Sequence, residues 1–127
     1  TGVVDQRAGG HRVSLIRNGS CASGCGYVGQ GAYDASKGGV LAWALPSARE
    51  LMNDGIRVNT ILPGVFKTPR VAMMPPNVQD ALGAQVPFPS RLGDPKEYAQ
   101  LAMSIVANHM LNGETIRLDG AIRMAPK

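Results

Sequence analysis

The chain has 127 residues, of which 44% are hydrophobic and 17% are charged, and its formal net charge is +4. This length is enough for one ordinary domain, and the composition is that of a foldable globular protein rather than a disordered or fibrous one. No stretch reaches the about 20 consecutive apolar residues that a membrane-spanning helix needs, and residues 1–12 lack the apolar core of a signal peptide. We therefore expect a soluble, intracellular protein that does not act at a membrane.

The charges and cysteines argue against two further classes of protein. The basic residues are scattered without a run and with few aromatic residues between them, so nucleic-acid binding is not expected. The two cysteines, Cys21 and Cys25, are too few for a disulfide framework and are expected to be free thiols. No metal site is expected, because His11 and His109 are too distant in the sequence to complete one.

The first elements are short and bounded by glycine. Residues 1–12 are rich in glycine and charge, and we predict a linker or a frayed end there. Residues 13–16 form a short, mostly apolar run that is typical of a strand, whereas the glycine-dense residues 21–31 indicate a loop.

A helix and a second strand follow the loop. Small residues such as Gly39 recur at helical spacing beside bulkier apolar ones, which predicts a long helix over 32–53 with a small face that a neighbouring backbone can approach. Pro46 removes one backbone donor and should bend this helix. Residues 56–61 predict a strand, so 13–64 is interpreted as a parallel strand–helix–strand unit.

The second half combines an irregular segment with a clear helix start. Five prolines in residues 65–92 predict a largely irregular stretch, with at most a short helix over 77–85, and such a stretch is often a substrate lid. The sequence Asp-Pro-Lys-Glu at 94–97 combines a capping residue, a proline at the first helical position and a glutamate that reaches back to the cap. Residues 93–127 are therefore predicted to be a helix followed by a last strand at 115–118.

Residues 24–29 match GxGxxG, the pattern of phosphate-binding loops in dinucleotide folds. That pattern works where its glycines form the turn directly between the first strand and a helix, with an acidic residue about 20 positions further on, at the end of the next strand. Here several residues separate the strand from Gly24, and Glu50, at roughly that spacing, falls inside the predicted helix. We therefore do not interpret the match as a phosphate loop.

Tyr33 and Lys37 are four residues apart, which places them on one helix face, one turn from each other. A free phenol ionises near pH 10, too high for a good acid–base catalyst, but an ammonium group one turn away favours the phenolate. Tyr33 can then donate or accept a proton. Ser20, if the loop brings it beside Tyr33, could hydrogen-bond a substrate carbonyl. The alternative for Tyr33 and Lys37 alone is an exposed helical pair without catalytic role.

As a set, these residues resemble the short-chain dehydrogenase/reductase family. The resemblance rests on the upstream serine, the glycine-rich loop, the helix opening Tyr-x-x-x-Lys-Gly-Gly and residues 57–64 (RVNTILPG). Residues 85–98 (QVPFPSRLGDPKEY) and 112–124 (NGETIRLDGAIRM) are similar to one branch of that family, which acts on 3-hydroxyacyl-CoA thioesters and 17β-hydroxysteroids.

The resemblance implies the fold and the roles of individual residues. The expected fold is α/β, the C-terminal half of a doubly wound parallel-sheet Rossmann fold, with about three parallel strands and flanking helices, in one partial domain over 1–127. It implies that Ser20 binds the substrate oxygen, that Tyr33 is the catalytic acid–base, and that Lys37 assists Tyr33 and binds the nicotinamide ribose. It also places Gln30 at the border of the substrate pocket. The cofactor-binding residues that it implies are Tyr33, Lys37, Pro63, Gly64, Phe66 and Thr68.

The resemblance also implies an activity and partners. The activity is that of an NAD-dependent oxidoreductase that interconverts a secondary alcohol and a ketone, and the substrate is a small molecule, either an acyl-CoA thioester or a steroid. The family further implies a homo-oligomer formed through the 32–53 helix and the C-terminal region, and a location in the cytoplasm or the mitochondrial matrix.

Several positions depart from the family's pattern. Arg17 and Gly19 stand where the family usually has asparagine and serine or alanine, and Lys67 replaces a residue that is small in this branch. We expect Arg17 to reach solvent or pair with an acid, because a buried unpaired guanidinium is costly. Lys67 is expected to point outward.

The family's phosphate-binding loop, its NAD-selecting acidic residue and its catalytic asparagine belong to an N-terminal half that we do not find in this sequence. Without that half, one edge of the strand at 13–16 is expected to be bare, which invites association. Two hypotheses remain open. The chain is the catalytic half of a dehydrogenase, or it is a truncated, non-catalytic relative that keeps only the oligomerising and substrate-side half. We expect no turnover from the chain alone.

Overall fold

The computed structural model describes residues 2–6, 12–24 and 28–123. Within them the chain forms an α/β sheet structure in which three strands run parallel, as the sequence predicts. The elements in chain order are β1 (Gly2–Gln6), β2 (Arg12–Asn18), α1 (Gly31–Ala42), α2 (Ala44–Glu50), β3 (Ile56–Pro63), α3 (Pro69–Ala72), α4 (Pro76–Ala84), α5 (Pro95–Ala107) and β4 (Thr115–Leu118). The strands lie side by side in the order β1-β2-β3-β4. Cys25 and His11 lie outside the described residues, as do residues 25–27 of the glycine-rich motif.

Strand β1 differs from the expectation of a linker over residues 1–12. It pairs antiparallel with β2, with Gly2 opposite Ile16 and Gln6 opposite Arg12. The physical reason is that the backbone groups on this side of β2 would otherwise lack partners, and a paired strand satisfies them. The edge that we expected to be bare at 13–16 is therefore covered by the chain's own residues.

The long helix predicted over 32–53 is divided in two. Helix α1 ends at Ala42 and α2 begins at Ala44, with Trp43 between them. Pro46 explains the division, because it has no N–H to donate to the carbonyl of Ala42 one turn earlier. A 3₁₀ turn over Met52–Asp54 then leads into β3.

Helices cover both faces of the sheet. On one face, Ile16 of β2 and Ile61 of β3 form a buried cluster with Ile105 and Val106 of α5. Alternation along β3 turns Val58 to the opposite face, where α2 packs. The residues that α2 buries are Ala44, Ser47 and Ala48. The close approach of helix and sheet therefore uses the small side chains of α2, whereas α1, where we expected the small face, buries none of its described side chains.

A single arginine joins β3 to the end of α5. The Arg57 guanidinium donates to four backbone carbonyls, those of Ile105, Val106, Asn108 and Leu111, at 2.7–3.2 Å. The last carbonyls of a helix have no partner within the helix, and a cation also complements their partial negative charge. Arg57 therefore fixes the position of α5 on the sheet.

Asn59 and Asn112 hold the loop after α5 against β3. The Asn59 side chain, which is fully buried, donates to the carbonyl of Leu111 and accepts from the backbone N–H of Glu114. The side-chain oxygen of Asn112 accepts from the N–H of Val58 at 2.9 Å. These bonds align the chain for β4, which occupies the predicted residues 115–118.

The segment 65–92 contains two short helices rather than the single one predicted. Thr68 caps α3, which begins at Pro69, and α4 begins at Pro76. Both helices therefore have proline in their first turn. Proline suits that position because its missing N–H would have no helical partner there. The predicted start of α5 is confirmed, with the complete capping box formed by Asp94 and Glu97.

The two departures near the end of β2 have structural explanations. The guanidinium of Arg17 forms no ion pair with a described acid and lies over the ring of Trp43, 3.8 Å from its centroid, with one of its nitrogens buried. The aromatic face offers a cation a favourable contact without a carboxylate. At Gly19 an added Cβ would collide with the Leu62 side chain, which is buried. Lys67 is exposed, as expected.

Candidate active site

The carboxyl ends of β2 and β3 open into one cavity of about 620 Å³. Ligands of open α/β folds bind at this end of the strands. The residues that line the cavity are Asn18, Ser20, Cys21, Ala22, Gln30, Tyr33, Pro63, Gly64, Val65, Phe66, Thr68, Val71, Pro95 and Tyr98. This set contains every residue named as a site candidate from the sequence except Lys37.

Ser20 follows the last residues of β2 and begins a tight turn. Its Oγ accepts a hydrogen bond from the backbone N–H of Ala22 at 3.2 Å, and its carbonyl accepts from the Ser23 hydroxyl at 2.6 Å. The bond from Ala22 uses a lone pair of the Ser20 hydroxyl and leaves the hydroxyl hydrogen unused. Its hydroxyl hydrogen can therefore be donated to a ligand oxygen in the cavity.

Tyr33 and Lys37 stand on α1 as the sequence predicts, one turn apart. The Tyr33 side chain lines the cavity and is 45% exposed, so its hydroxyl is accessible to a ligand. The Lys37 ammonium nitrogen lies 5.8 Å from the centroid of the Tyr33 ring and donates to the backbone carbonyl of Asn18 at 3.4 Å. Lys37 is thus held beside Tyr33 by the end of β2, behind the cavity lining.

The cavity lining contains no charged side chain among the described residues. The ammonium of Lys37 lies outside this lining, beside the ring of Tyr33.

Asn18 and Tyr98 line the cavity, although the sequence did not identify them as site residues. The Tyr98 hydroxyl donates a hydrogen bond to the side-chain oxygen of Asn18, and its ring packs edge-on against Phe66 at 6.4 Å between centroids. Burial raises the pKa of Tyr98. Asn18 could have been found from its place at the carboxyl end of a predicted strand. The sequence assigned Tyr98 to the apolar stripe of a helix, and nothing in that pattern marks its hydroxyl.

The residues predicted to contact a cofactor form one wall of the cavity. Pro63 and Gly64 end β3, and Phe66 and Thr68 follow them. Gly64 is packed closely against the backbone of Asp119, where an added Cβ would lie 2.8 Å from Cα. The Thr68 oxygen accepts from the N–H of Val71 at 3.4 Å and so caps α3. Gln30, just before α1 begins, also lines the cavity.

Within the described ranges, no helix is long and apolar enough to cross a membrane, and no three histidine, cysteine, aspartate or glutamate side chains are grouped as metal ligands would be.

The parallel sheet, the serine after β2 and the Tyr-x-x-x-Lys helix define an oxidoreductase fold, and the chain belongs to the short-chain dehydrogenase/reductase family. Residues 6–122 match a family profile described as Enoyl-(Acyl carrier protein) reductase. Within the family, the bovine and human proteins named 3-hydroxyacyl-CoA dehydrogenase type-2 are each 57% identical to this chain over 118 residues. The alignment covers 93% of this chain and 45% of theirs, so the chain spans less than half the length of these relatives.

Two solved structures share the fold. The crystal structure of 3-hydroxyacyl-CoA dehydrogenase type-2 from Mycobacterium avium is 44% identical, with a TM-score of 0.85 over 90% of this chain and 44% of that one. The Pseudomonas aeruginosa RhlG/NADP active-site complex is 29% identical, with a TM-score of 0.77 over 92% of this chain and 49% of that one. The predicted Rossmann-type class is therefore confirmed.

Proposed function

We propose that this chain supplies the acid–base and substrate-side half of a nicotinamide-dependent dehydrogenase that interconverts a secondary alcohol and a ketone. One observation carries the proposal. Ser20 and Tyr33 line the same cavity, whose described lining has no charged side chain, and the Lys37 ammonium lies 5.8 Å from the Tyr33 ring. A hydrogen-bond donor and a proton-transfer group on one cavity are what carbonyl reduction requires of the protein.

The chain's own residues divide the work as follows. In the oxidation direction, Tyr33 accepts the proton of the substrate hydroxyl as the carbinol carbon loses hydride, and the product is a ketone. Ser20 donates a hydrogen bond to the same oxygen and stabilises the charge that develops on it. Lys37, whose ammonium lies 5.8 Å from the Tyr33 ring, assists Tyr33 in this transfer. In the reduction direction Tyr33 returns the proton.

The residues present fit the nicotinamide end of a dinucleotide. A cavity of about 620 Å³ has room for a nicotinamide riboside beside a small substrate carbonyl. We propose that Lys37 and Tyr33 hold the ribose hydroxyls and that Pro63, Gly64, Phe66 and Thr68 form the wall against the nicotinamide. When bound, that group accepts or supplies the hydride. We propose NAD as the cofactor, and a comparison of NADH with NADPH tests this choice.

For the substrate, we propose a 3-hydroxyacyl-CoA thioester, with a hydroxysteroid as the second candidate. The first choice is supported by the names of the relatives in cattle and humans, at 57% identity, and by the largely apolar wall that Val65, Phe66 and Val71 form. An acyl chain and a steroid ring system would both bury apolar surface there. The relative rates with acetoacetyl-CoA and a 17-ketosteroid separate the two.

We also propose that copies of the chain associate through the region that α1 and α2 form. Large apolar side chains are exposed there, with Trp43 at 50% and Met52 at 65%. Burial of such side chains favours association. Sedimentation of the wild type and of Met52→Lys measures the effect, and an unchanged mass distribution would contradict it.

The test is turnover of acetoacetyl-CoA with NADH, measured by the loss of NADH fluorescence. The chain is assayed alone and mixed with the part of the bovine relative that it does not cover. We expect no turnover alone and turnover in the mixture, which Tyr33→Phe lowers by about 10²–10⁴-fold. Ser104→Ala is the control, because that hydroxyl bonds within α5 to the carbonyl of Gln100. Turnover that survives Tyr33→Phe, or NADH binding without turnover in the mixture, would refute the proposal.

A further inference from the structure

Lys67 occupies an unusual place beside the cavity. Its neighbours Phe66 and Thr68 line the cavity, but the Lys67 side chain is exposed and lines an adjoining depression of about 520 Å³. The Lys67 backbone is fixed, because its N–H donates to the carbonyl of Gly93 at 2.9 Å. The ammonium group is thus carried by a rigid segment, next to the site but outside it.

The depression and the cavity adjoin at the start of α5. Pro95 lines both, and Lys96, the next residue, lines the depression together with Lys67. A ligand whose reactive end lies beside Ser20 and Tyr33 can therefore extend across Pro95 and place its remaining groups between the two lysines.

The charges in this depression are unequally compensated. Arg91 is engaged by Glu97 in a two-bond ion pair at 2.7 and 2.9 Å, and Glu97 also accepts from the backbone N–H of Asp94. The Asp94 carboxylate accepts from the backbone of α5 as its cap. Arg91 and Glu97 thus compensate each other, whereas Lys67 and Lys96 form no ion pair with any described residue. Asp94 keeps its negative charge, so the three basic and two acidic residues that line the depression leave one positive charge in excess.

We propose that Lys67 and Lys96 form a phosphate-binding subsite for a nucleotide-bearing ligand whose reactive end lies in the cavity. Two ammonium groups without carboxylate partners attract a phosphate dianion and can donate several charge-assisted hydrogen bonds to it. The phosphate belongs either to a CoA thioester or to the dinucleotide cofactor. The subsite rests on the proposed function only for the placement of the reactive end.

The first experiment tests the subsite without any nucleotide. The amide NMR signals of the whole ¹⁵N-labelled chain are followed while inorganic pyrophosphate is added at low salt. We expect saturable shifts at Lys67 and Lys96, with the affinity lowered about fivefold to tenfold by Lys67→Ala and weakened by added salt. Arg70→Ala is the matched control, because Arg70 is exposed and nearby but does not line the depression. An absence of shifts at Lys67 would overturn the proposed subsite. An equal loss of pyrophosphate affinity in Lys67→Ala and Arg70→Ala would overturn it as well.

The second experiment identifies the source of the phosphate. Affinities of coenzyme A, pantetheine and NADH are measured for wild type and Lys67→Ala. A loss for coenzyme A but not for pantetheine assigns the phosphate to the thioester, and a loss for NADH assigns it to the cofactor. If Lys67→Ala changes the affinity of neither coenzyme A nor NADH, the proposed subsite is wrong. Because Tyr33→Phe leaves the phosphate contacts intact, its effect on turnover reports on the proposed function separately.

Discussion

The hydroxyl of Tyr98, on α5, donates a hydrogen bond to the side chain of Asn18, the last residue of β2. The backbone carbonyl of the same Asn18 accepts from Lys37 of α1. Helices from the two sides of the sheet therefore meet at one residue at its carboxyl end. The position of Lys37 beside Tyr33 therefore depends on α5 as well as on α1.

Replacing Tyr98 by phenylalanine removes this hydrogen bond and keeps the ring against Phe66. We expect a loss of about 1 kcal/mol in the free energy of unfolding at pH 8, measured by urea denaturation. Because burial raises the pKa of Tyr98, the folded wild type keeps its proton where the unfolded chain has lost it, so wild-type stability falls as the pH rises above about 10. The difference in the free energy of unfolding between wild type and Tyr98→Phe should therefore narrow above pH 10. A constant difference would contradict a raised pKa of Tyr98 in the folded chain.

Arg57→Met should destabilise the fold by about 3 kcal/mol, because it leaves several carbonyls at the end of α5 without their charged donor. Arg70→Met, at an exposed arginine, should change the free energy of unfolding by about 0.5 kcal/mol or less. Chemical denaturation measures both. Hydrogen exchange should also show faster opening of the last turn of α5 in Arg57→Met, and equal effects of the two substitutions would count against the role of Arg57.

The Arg91–Glu97 pair should make stability depend on acid pH. The hydrogen bonds from Arg91, followed by the backbone N–H of Asp94, lower the pKa of Glu97 from its ordinary 4.5 to about 2. The stabilisation is therefore complete above about pH 4.5 and is lost as the pH falls toward 2. The difference in melting temperature between wild type and Glu97→Gln should shrink over this range. A difference that stays the same at pH 6 and pH 2.5 would show that the ion pair contributes nothing.

Two glycine substitutions should have opposite effects. In Gly64→Ala the new Cβ would lie 2.8 Å from backbone and side-chain carbons of Asp119, so the chain must shift, at a cost of about 1–3 kcal/mol. In Gly38→Ala the new Cβ meets no atom within 4 Å, inside α1, and the better helix former should stabilise the chain by up to about 1 kcal/mol. Thermal unfolding of both variants checks the signs, and destabilisation by Gly38→Ala would indicate an unseen contact on α1.

Features with a local physical cause could be predicted from the sequence. The capping box at Asp94 and Glu97 and the strand that begins at Ile56 depend on neighbouring residues alone, and both are present. Seven of the fourteen residues that line the cavity were also named from the sequence. Ser20 and Tyr33 could be placed by their positions relative to a strand end and a helix start, and the other five came from the family resemblance.

The remaining features depend on contacts between distant residues. The pairing of β1 with β2 depends on an unsatisfied edge, which local composition does not reveal. The position of Arg17 depends on its contact with the ring of Trp43, which lies at the break between α1 and α2. The hydroxyl of Tyr98 acquires its partner only when α5 crosses the end of β2.

The contact between Gly19 and Leu62 has a consequence for how this sequence could have diverged. An alanine or serine at position 19 would require the buried Leu62 side chain to shift, because the new Cβ would collide with a terminal methyl group of Leu62. The effect of a substitution at position 19 is therefore expected to depend on the residue at position 62, and the two positions are coupled.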